Sequence, residues 1–231
     1  MLSRIAGTVV PAFGRLTVTT DPEARLVPGS VVVANHTSLA DPAVVLAALH
    51  RLGVEPVVLA TAGLWRIPGL GRALTREGFV PVHRNGPRAC DALAGAADAL
   101  ADGRIVLMYG EGGIPPRKGS GEAPPAAFRT GVARLAQHTG APVSPLGQVG
   151  ARRLSSGTWA KQLAGLVTAP VRRPVLHVHV GAPLRLTGDA SLASARVREA
   201  VTAAWRTAAG HAGDHCPIPP AEEIARESVA A

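Results

Sequence analysis

The residues best suited to catalysis lie between Asn35 and Asp41, directly after a short apolar run that is typical of a buried strand. His36 follows that run, and Asp41 comes five residues later. Inside one helix the two side chains would point about 140° apart and could not meet. If His36 instead lies in a turn before the helix, the Asp41 carboxylate can bind one ring nitrogen and leave the other to accept a proton. The spacing therefore predicts a general base oriented by a carboxylate.

The same spacing also fits a purely structural arrangement. In that interpretation Asp41 caps the helix, and His36 is a core residue with its hydrogen bonds satisfied. A serine triad is not predicted, because the chain has no G-x-S-x-G turn that would present a nucleophile. A base at His36 would then act on a hydroxyl of the substrate.

Three further segments place polar residues at the ends of apolar runs. Residues 78–84 end in His-Arg, Glu111 lies in the glycine-rich turn after Tyr109, and residues 141–146 form an apolar run bracketed by prolines. Together with Asn35, His36 and Asp41, these segments stand in the order found in the lysophosphatidic acid acyltransferase family. The chain resembles that family from about residue 16 to residue 180, and the basic residue and Leu-Ala helix expected between the third and fourth segments match residues 128–136.

The resemblance implies a reaction. His36 would deprotonate an acceptor hydroxyl, which would attack the thioester of acyl-CoA or acyl-ACP (acyl carrier protein) without an acyl-enzyme, and Asp41 would orient His36. The product expected first is phosphatidic acid, formed from 1-acylglycerol-3-phosphate. The resemblance implies no cofactor and no metal, since the acyl thioester is a co-substrate.

The resemblance also implies an acceptor site. Arg84 would bind the phosphate of the acceptor, a role that suits its planar, two-pronged donor group. Glu111, with Gly110 and Gly112 beside it, would bind the acceptor or shape its pocket, and Asn35 is expected on the same side. The third segment departs from the family pattern, since Gly110, Gly113 and Ile114 stand where Pro, Thr and Arg are usual. These departures concern the acceptor and not the His-Asp pair.

The elements that must position these residues alternate between strand and helix. The pattern predicts strands at 16–20, 30–34, 56–60, 79–82, 104–109, 142–147 and 175–181, and helical segments at 41–52, 64–74, 87–102, 126–139 and 192–210. This alternation predicts an α/β fold: one domain with a mixed, mostly parallel central sheet flanked by helices.

Composition restricts the partners. The 231 residues are 47% hydrophobic, which excludes wholesale disorder, and only 3% aromatic, which argues against single-stranded nucleic acid. The formal net charge is +8, and almost all basic residues are arginine. This charge suits phosphate, an acyl carrier or an anionic membrane, and no nucleic acid partner is expected.

The organisation along the chain is predicted in three parts. Residues 1–15 form a short amphipathic segment, suited to a membrane surface or to the protein core. Residues 16–210 form the acyltransferase domain, and residues 211–231 form a Pro-rich acidic tail. Two cysteines make no disulfide framework, and no apolar run reaches the length of a membrane span, so we expect a cytoplasmic protein with peripheral contact to the inner face of the cell membrane.

His177 and His179 alternate along a predicted strand, and their rings would therefore point to one face. We interpret them as solvent-facing strand residues rather than as a pair of metal ligands.

The prediction for function is acyl transfer to a lysophospholipid, with two alternatives left open. The first is an enzyme of specialised metabolism with the same fold and a different hydroxyl or amine as acceptor. The second is a non-catalytic protein that binds lipid or an acyl carrier.

Overall fold

The computed structural model describes residues 1–83, 91–116 and 121–213. Seven α-helices lie in these ranges: α1 (Leu2–Phe13), α2 (Asp41–Arg51), α3 (Leu70–Arg76), α4 (Asp91–Ala101), α5 (Gly131–Thr139), α6 (Trp159–Arg172) and α7 (Ala190–His211). Seven strands accompany them: β1 (Arg15–Thr20), β2 (Val31–Ala34), β3 (Val57–Thr61), β4 (Val80–Val82), β5 (Val106–Tyr109), β6 (Val143–Val149) and β7 (Val175–Val180). Two 3₁₀ turns, Ala62–Arg66 and Ala151–Arg153, follow β3 and β6.

The strands form one sheet in the order β1-β7-β6-β2-β5-β3-β4. Every neighbouring pair is parallel except β6 and β7, which run antiparallel. The predicted α/β fold with a mixed, mostly parallel sheet is therefore confirmed. In such a sheet the carboxyl ends of the parallel strands gather at one edge, where ligands usually bind. β2 lies at the centre, between β6 and β5.

Alternating side chains of the buried strands fill two separate cores. Val32 and Ala34 of β2 pack on one face of the sheet with α1 and α2, whereas Val31 and Val33 pack on the other face with α4, α5 and α7. Because all four side chains have no exposed surface, β2 is covered on both faces and is apolar throughout. The helices therefore form layers on both sides of the sheet.

Helix α1 packs against α2, with Ser3, Ala6 and Val10 on its buried side. This contact matches the core alternative for the N-terminal segment. Ile5 and Val9 remain exposed on the helix. Among the described residues, no helix combines the length and apolar character that crossing a membrane requires.

Helix α7 approaches β6 so closely that only glycine fits between them. A Cβ atom at Gly147 would collide with the backbone of Ala204 and Trp205. This contact fixes α7 against β6, which lies beside β2 in the sheet. Glycine is therefore needed at position 147 for this close packing and not for an unusual backbone conformation, since the residue lies within an ordinary strand.

The helices of the structure differ from the predicted ones at α5 and at α6. Helix α5 begins at Gly131 and not at Ala126, because the preceding residues run across the sheet edge, where the Arg129 amide donates to the Gly110 carbonyl. Helix α6 was not predicted, although Trp159, Leu163, Leu166 and Val167 recur at helical spacing. Only Ala169 of this helix is buried.

The interpretation of His177 and His179 as solvent-facing residues is wrong, since both are buried. The Thr19 hydroxyl on β1 lies 2.9 Å from Nε2 of His177 and 2.9 Å from Nδ1 of His179. His179 also binds the Asp21 carboxylate at 3.1 Å, and the His211 ring of α7 stacks on His177 at 5.0 Å. Residues of β1 and α7 therefore cover the two rings. The alternation along β7 predicts that both rings share a face, but it does not predict what covers that face.

Burial, together with the neighbouring His211 and His179, lowers the pKa of His177 to about 4. The ring is consequently neutral near pH 7. Within the described residues, no group of three or more His, Cys, Asp or Glu side chains is placed to hold a metal ion.

Candidate active site

The His36 ring meets the Asp41 carboxylate at the carboxyl end of β2. Strand β2 ends at Ala34, α2 begins at Asp41, and His36 lies in the turn between them. Nδ1 of His36 is 2.9 Å from Oδ2 of Asp41. Because a carboxylate accepts, Nδ1 carries the proton, and Nε2 is the nitrogen that can accept one. The geometry predicted for a turn followed by a helix is therefore present.

Asp41 also holds the turn that carries His36. Its carboxylate accepts hydrogen bonds from the backbone amides of Thr37 and Ser38, the latter at 2.9 Å, and it has no exposed surface. These amides precede the helix, whose N-cap position is Ala40, so the carboxylate does not cap α2. Asp41 thus fixes both the ring and the backbone beneath it.

The neighbouring strand β5 brings Glu111 to the same place. Ala34 pairs with Tyr109 in the sheet, so the residues two positions further on also meet. Oε2 of Glu111 accepts the His36 backbone amide at 3.0 Å, and the carboxyl group is almost completely buried. Glu111 therefore supports the backbone of the candidate base.

The two glycines beside Glu111 each allow a close approach. A Cβ atom at Gly110 would collide with the Phe128 ring. Gly112 has a φ of 68°, in the region that favours glycine, and a Cβ there would approach the Arg129 side chain. The segment before α5 therefore packs directly on this turn, and it places Arg129 next to Gly112.

The Tyr109 ring stacks on the His36 ring, with centroids 4.3 Å apart and an angle of 26° between the planes. Burial raises the pKa of Tyr109 well above its usual value, and the nearby Asp41 and Glu111 raise it further. Its hydroxyl group therefore stays protonated at neutral pH. Because the ring supports one face of His36, it restricts the imidazole to the orientation that Asp41 sets.

Asn35 connects β2 to β6. Its amide nitrogen donates to the Gln148 carbonyl at 3.0 Å, and its amide oxygen accepts from the Gln148 backbone at 2.8 Å. Asn35 is fully buried, and both ends of its amide bind this backbone. This differs from the expected contact with the acceptor, since a side chain so engaged holds the strand end and positions His36.

Sequence reasoning missed the segment that supports the other side of the turn. The Ser38 hydroxyl donates to the Ser155 carbonyl at 2.6 Å, and Nη1 of Arg152 donates to the Thr37 carbonyl at 3.1 Å. Ser38, Arg152 and Ser155 are all buried. Buried polar residues after a strand are a signal for such a role, but no spacing rule connects residues 37–38 to residues 152–155.

Arg84, the expected phosphate ligand, lies outside the described residues. The strand that precedes it, β4, ends at Val82 and runs parallel to β3. In the sheet order β3 and β5 separate β4 from β2. With about 4.8 Å between neighbouring strands, the end of β4 lies about 14 Å from the end of β2 along the same edge.

Comparisons with known proteins agree with this arrangement. The model of the Acyltransferase family matches residues 15–149, more than half of the chain. The matched region contains β2, α2 and β5, and hence His36, Asp41 and Glu111.

Two curated plant proteins are similar over about half of the chain. The chloroplastic 1-acyl-sn-glycerol-3-phosphate acyltransferase BAT2 of Brassica napus is 30% identical over 125 residues, which are 54% of this chain and 34% of that protein. The chloroplastic 1-acyl-sn-glycerol-3-phosphate acyltransferase LPAT1 of Arabidopsis thaliana is 29% identical over 126 residues, which are 54% of this chain and 33% of that protein. The chain thus spans about a third of the length of these relatives.

A solved structure shares the fold. The 1-acyl-sn-glycerophosphate acyltransferase PlsC of Thermotoga maritima superposes with a TM-score of 0.67 and 20% sequence identity, covering 90% of this chain and 77% of that one. The family model, the two relatives and the shared fold all point the same way. The chain belongs to the Acyltransferase family.

Proposed function

We propose that the chain transfers an acyl group from a thioester to the free hydroxyl of 1-acylglycerol-3-phosphate. The observation that carries the proposal is His36, whose Nδ1 is bound to buried Asp41 at 2.9 Å while its Nε2 can accept a proton. The choice of acceptor is supported by the two plant relatives, which are 1-acyl-sn-glycerol-3-phosphate acyltransferases. Acyl-CoA and acyl-ACP are the donors we propose.

The chemistry needs one base and no covalent intermediate on the protein. Nε2 of His36 removes the proton of the acceptor hydroxyl while its oxygen attacks the thioester carbonyl. The tetrahedral intermediate then collapses, the carbon–sulfur bond breaks, and His36 returns the proton to the departing thiolate. Ser38 is not the nucleophile, because its hydroxyl is buried and donates to the Ser155 carbonyl.

The acceptor phosphate requires a cation near this edge of the sheet. Arg84 keeps that role as a proposal, and the structure adds Arg129 as a second candidate. The side chain of Arg129 is exposed and lies against Gly112, one residue from Glu111. A guanidinium group there can bind phosphate with two parallel hydrogen bonds. Arg129 would thus supply the positive charge that the family usually has in an arginine at the position of Ile114.

An acceptor without phosphate is the second candidate. Ile114 is partly exposed beside the turn that holds Glu111, where an apolar acceptor group could pack against it. His36 would act on such an acceptor in the same way, but binding of the acceptor would not depend on Arg84 or Arg129. This is the specialised-metabolism alternative, and the same experiment decides between the two.

The test incubates purified protein with acyl-CoA or acyl-ACP and a panel of hydroxyl and amine acceptors, with products identified by mass. The panel pairs 1-acylglycerol-3-phosphate with 1-acylglycerol, which differs only in the phosphate. We expect phosphatidic acid from the first and little product from the second. If neither of these two compounds is acylated and another phosphate-free acceptor of the panel is, the second candidate function is correct.

Matched variants attribute the activity to the site. His36→Ala should lower kcat by at least about 10²-fold, because removing a general base removes an effect of that size. His138→Ala, at an exposed position on α5, should leave kcat unchanged. Arg129→Ala should raise KM for the phosphate-bearing acceptor about tenfold or more, whereas Arg134→Ala, also exposed on α5, should not. Full activity of His36→Ala would refute the mechanism, and binding of acyl thioester without turnover would identify a carrier-binding protein.

A further inference from the structure

The edge segment, which we define as residues 122–129, runs beside the candidate active site without forming a helix or a strand. At one end the Glu122 carboxylate accepts the Gly150 amide at 2.9 Å, just after β6. At the other end the Arg129 amide donates to the Gly110 carbonyl at 2.9 Å, just after β5. Strand β2 lies between β6 and β5, so the edge segment passes the end of β2 that carries the candidate base.

The anchors of the edge segment are important because its length alone does not fix its position. The ends of β6 and β5 lie about 10 Å apart, whereas seven residues can extend over about 24 Å. Two residues of α7 hold the β5 half: Nε of Arg198 donates to the Pro125 carbonyl at 3.3 Å, and the Ser194 hydroxyl donates to the Arg129 carbonyl at 3.0 Å. On the β6 half, the carboxylate of Glu122 holds the segment to the strand end.

Glu122 binds at the point where the chain leaves the sheet. Gly150 has a φ of 93°, a conformation that favours glycine, and a Cβ atom there would collide with the Val175 carbonyl. The residue is buried, and a buried amide needs an acceptor. The Glu122 carboxylate is that acceptor, and it thereby fixes the direction in which residues 151–155 leave β6.

Residues 151–155 support the turn of the candidate base. The Ser38 hydroxyl donates to the Ser155 carbonyl at 2.6 Å, and Nη1 of Arg152 donates to the Thr37 carbonyl at 3.1 Å. The two residues that receive this support also donate their backbone amides to the carboxylate that orients the base. Because all these groups are buried, a shift where the chain leaves β6 is transmitted to the base.

We propose that Glu122 is a positioning residue of the candidate active site, which holds residues 150–155 and the edge segment in the arrangement that the His36 base requires. Position 122 lies outside every segment that carries the resemblance to the acyltransferase family. The role needs an oxygen atom that accepts a hydrogen bond, and it needs no negative charge, because the partner is a neutral backbone amide. The proposal rests on the proposed function only where activity is measured.

A direct contact with substrate is the other role that a carboxylate at this edge could have. Two conservative variants separate the roles. Glu122→Gln keeps the length and an accepting oxygen but removes the charge, whereas Glu122→Asp keeps the charge but is one methylene shorter. A positioning residue is replaced by glutamine and not by aspartate. A residue that binds substrate through its charge is not replaced by glutamine.

The first test measures the contact itself, without any substrate. Hydrogen exchange of the Gly150 amide is followed by NMR in the full-length protein and its variants. In Glu122→Ala and Glu122→Asp the amide should exchange at least about tenfold faster, because it has lost a buried acceptor, and Glu122→Gln should restore the protection. Glu199→Ala, which changes an exposed glutamate of α7, should leave the exchange unaltered. Equal exchange in Glu122→Ala and the unchanged protein would overturn the proposal.

The second test measures the His36 ring, again without substrate. The proton on Nδ1, which is bound to Asp41, gives an NMR signal that His36→Ala identifies by its loss. In Glu122→Asp we expect this signal to shift or broaden, because the turn holds the ring less firmly. In Glu122→Gln and Glu199→Ala the signal should stay in place. An unmoved signal in Glu122→Asp, with the Gly150 amide exposed to exchange, would show that the contact does not position the base.

Steady-state kinetics then relates the contact to catalysis. With the proposed donor and acceptor, Glu122→Asp should lower kcat about 10- to 100-fold, since a small misplacement of the base slows the reaction. KM for the acceptor should change less than about threefold, because the anchors of Arg129 on β5 and α7 remain. Glu122→Gln and Glu199→Ala should keep kcat within about threefold of the unchanged protein.

The glutamine variant also decides against the proposal. A loss in Glu122→Gln as large as that in Glu122→Asp, with KM raised, would assign Glu122 a contact with substrate and overturn the positioning role. If the unchanged protein acylates no acceptor, the proposed function fails. Amide exchange of Gly150 and the His36 signal then still decide this inference, because neither needs a substrate.

Discussion

His36 and Asp41 form the pair in which, in the proposed mechanism, His36 reacts and the Asp41 carboxylate holds it in place. Three other side chains restrict the same imidazole or its backbone: Glu111 binds the amide, Tyr109 covers one ring face, and Asn35 anchors the strand end. Each contact removes a degree of freedom from the candidate base. A base held in this way loses less entropy when the acceptor hydroxyl arrives.

The His-Asp contact was predictable from the sequence because it depends on one turn and one helix start. The supporting residues were predictable only in part. Glu111 was predictable because it directly follows a predicted strand. The contacts of Arg152 and Ser155 with the turn depend instead on the path of the chain after β6. Such long-range contacts leave no periodic pattern in the sequence. In the same way, Arg129 lies beside Gly112 because Phe128 packs on Gly110, and no sequence pattern indicates that packing.

Asp41→Asn tests the orienting role at this scale. An asparagine amide can donate to Nδ1, which favours the tautomer with its proton on Nε2 and so removes the base. We expect kcat to fall about 10²- to 10⁴-fold, with a smaller change in KM, measured by steady-state kinetics. The turn also loses a charged acceptor for the Thr37 and Ser38 amides, which should lower the free energy of unfolding by about 1–3 kcal/mol.

Asp189→Asn is the matched control for that substitution. Asp189 caps α7 by accepting from the Ser191 and Leu192 amides, and asparagine caps almost as well. Its kcat should equal that of the unchanged protein. If Asp41→Asn kept a third or more of the activity, the carboxylate would be a structural group only.

At the scale of elements, the site depends on β2 and on the two strands that flank it. β5 supplies Tyr109 and Glu111, and β6 supplies the backbone that binds Asn35. The alternation of strands and helices predicted these elements and the class of fold. The order of strands in the sheet was not predictable, because each buried strand reads as a similar run of valine, leucine and alanine. Helix α6 was missed although its apolar residues recur at helical spacing.

Gly147→Ala tests how firmly α7 fixes β6. The added methyl group must displace the backbone of Ala204 and Trp205, so the free energy of unfolding should fall by about 1–3 kcal/mol or more. Urea denaturation measures the change. Gly63→Ala is the control, because a Cβ atom there meets nothing within 4 Å, and it should stay within about 0.5 kcal/mol. Equal midpoints for the two variants would show that α7 shifts freely on the sheet.

At the scale of the whole molecule, the sheet carries two separate clusters of polar side chains. The candidate base lies at the centre, whereas His177, His179 and Thr19 form a buried polar cluster between β7 and β1. The alternation along β7 correctly placed both rings on one face. It could not show that α7 covers that face, because the covering residue His211 is far away in sequence.

His177→Gln tests how that cluster couples stability to pH. In the folded chain the pKa of His177 is about 4, against about 6.5 when unfolded. Between these values the unfolded chain binds more protons, so the stability contributed by the neutral ring is complete above pH 6.5 and declines toward pH 4. We expect the melting temperature of the variant to fall less steeply than that of the unchanged protein over this range.

The exposed His138 provides the comparison for the pH experiment. His138→Gln should leave the slope of melting temperature against pH unaltered. Parallel slopes for His177→Gln and the unchanged protein would mean that His177 takes up a proton equally in both states.

The pairing of β1 with β7 has a consequence for biosynthesis. Arg15 pairs with Val175, 160 positions later, and within the described part of the chain β7 is the only strand beside β1 in the sheet. While the chain emerges from the ribosome, β1 therefore has no partner until nearly the whole domain has been made. The central strands β2, β3 and β5 can pair earlier, since they are close in sequence. Translation should thus yield an intermediate in which the candidate site is formed and one edge of the sheet is unpaired, and that edge is where a chaperone would bind the nascent chain.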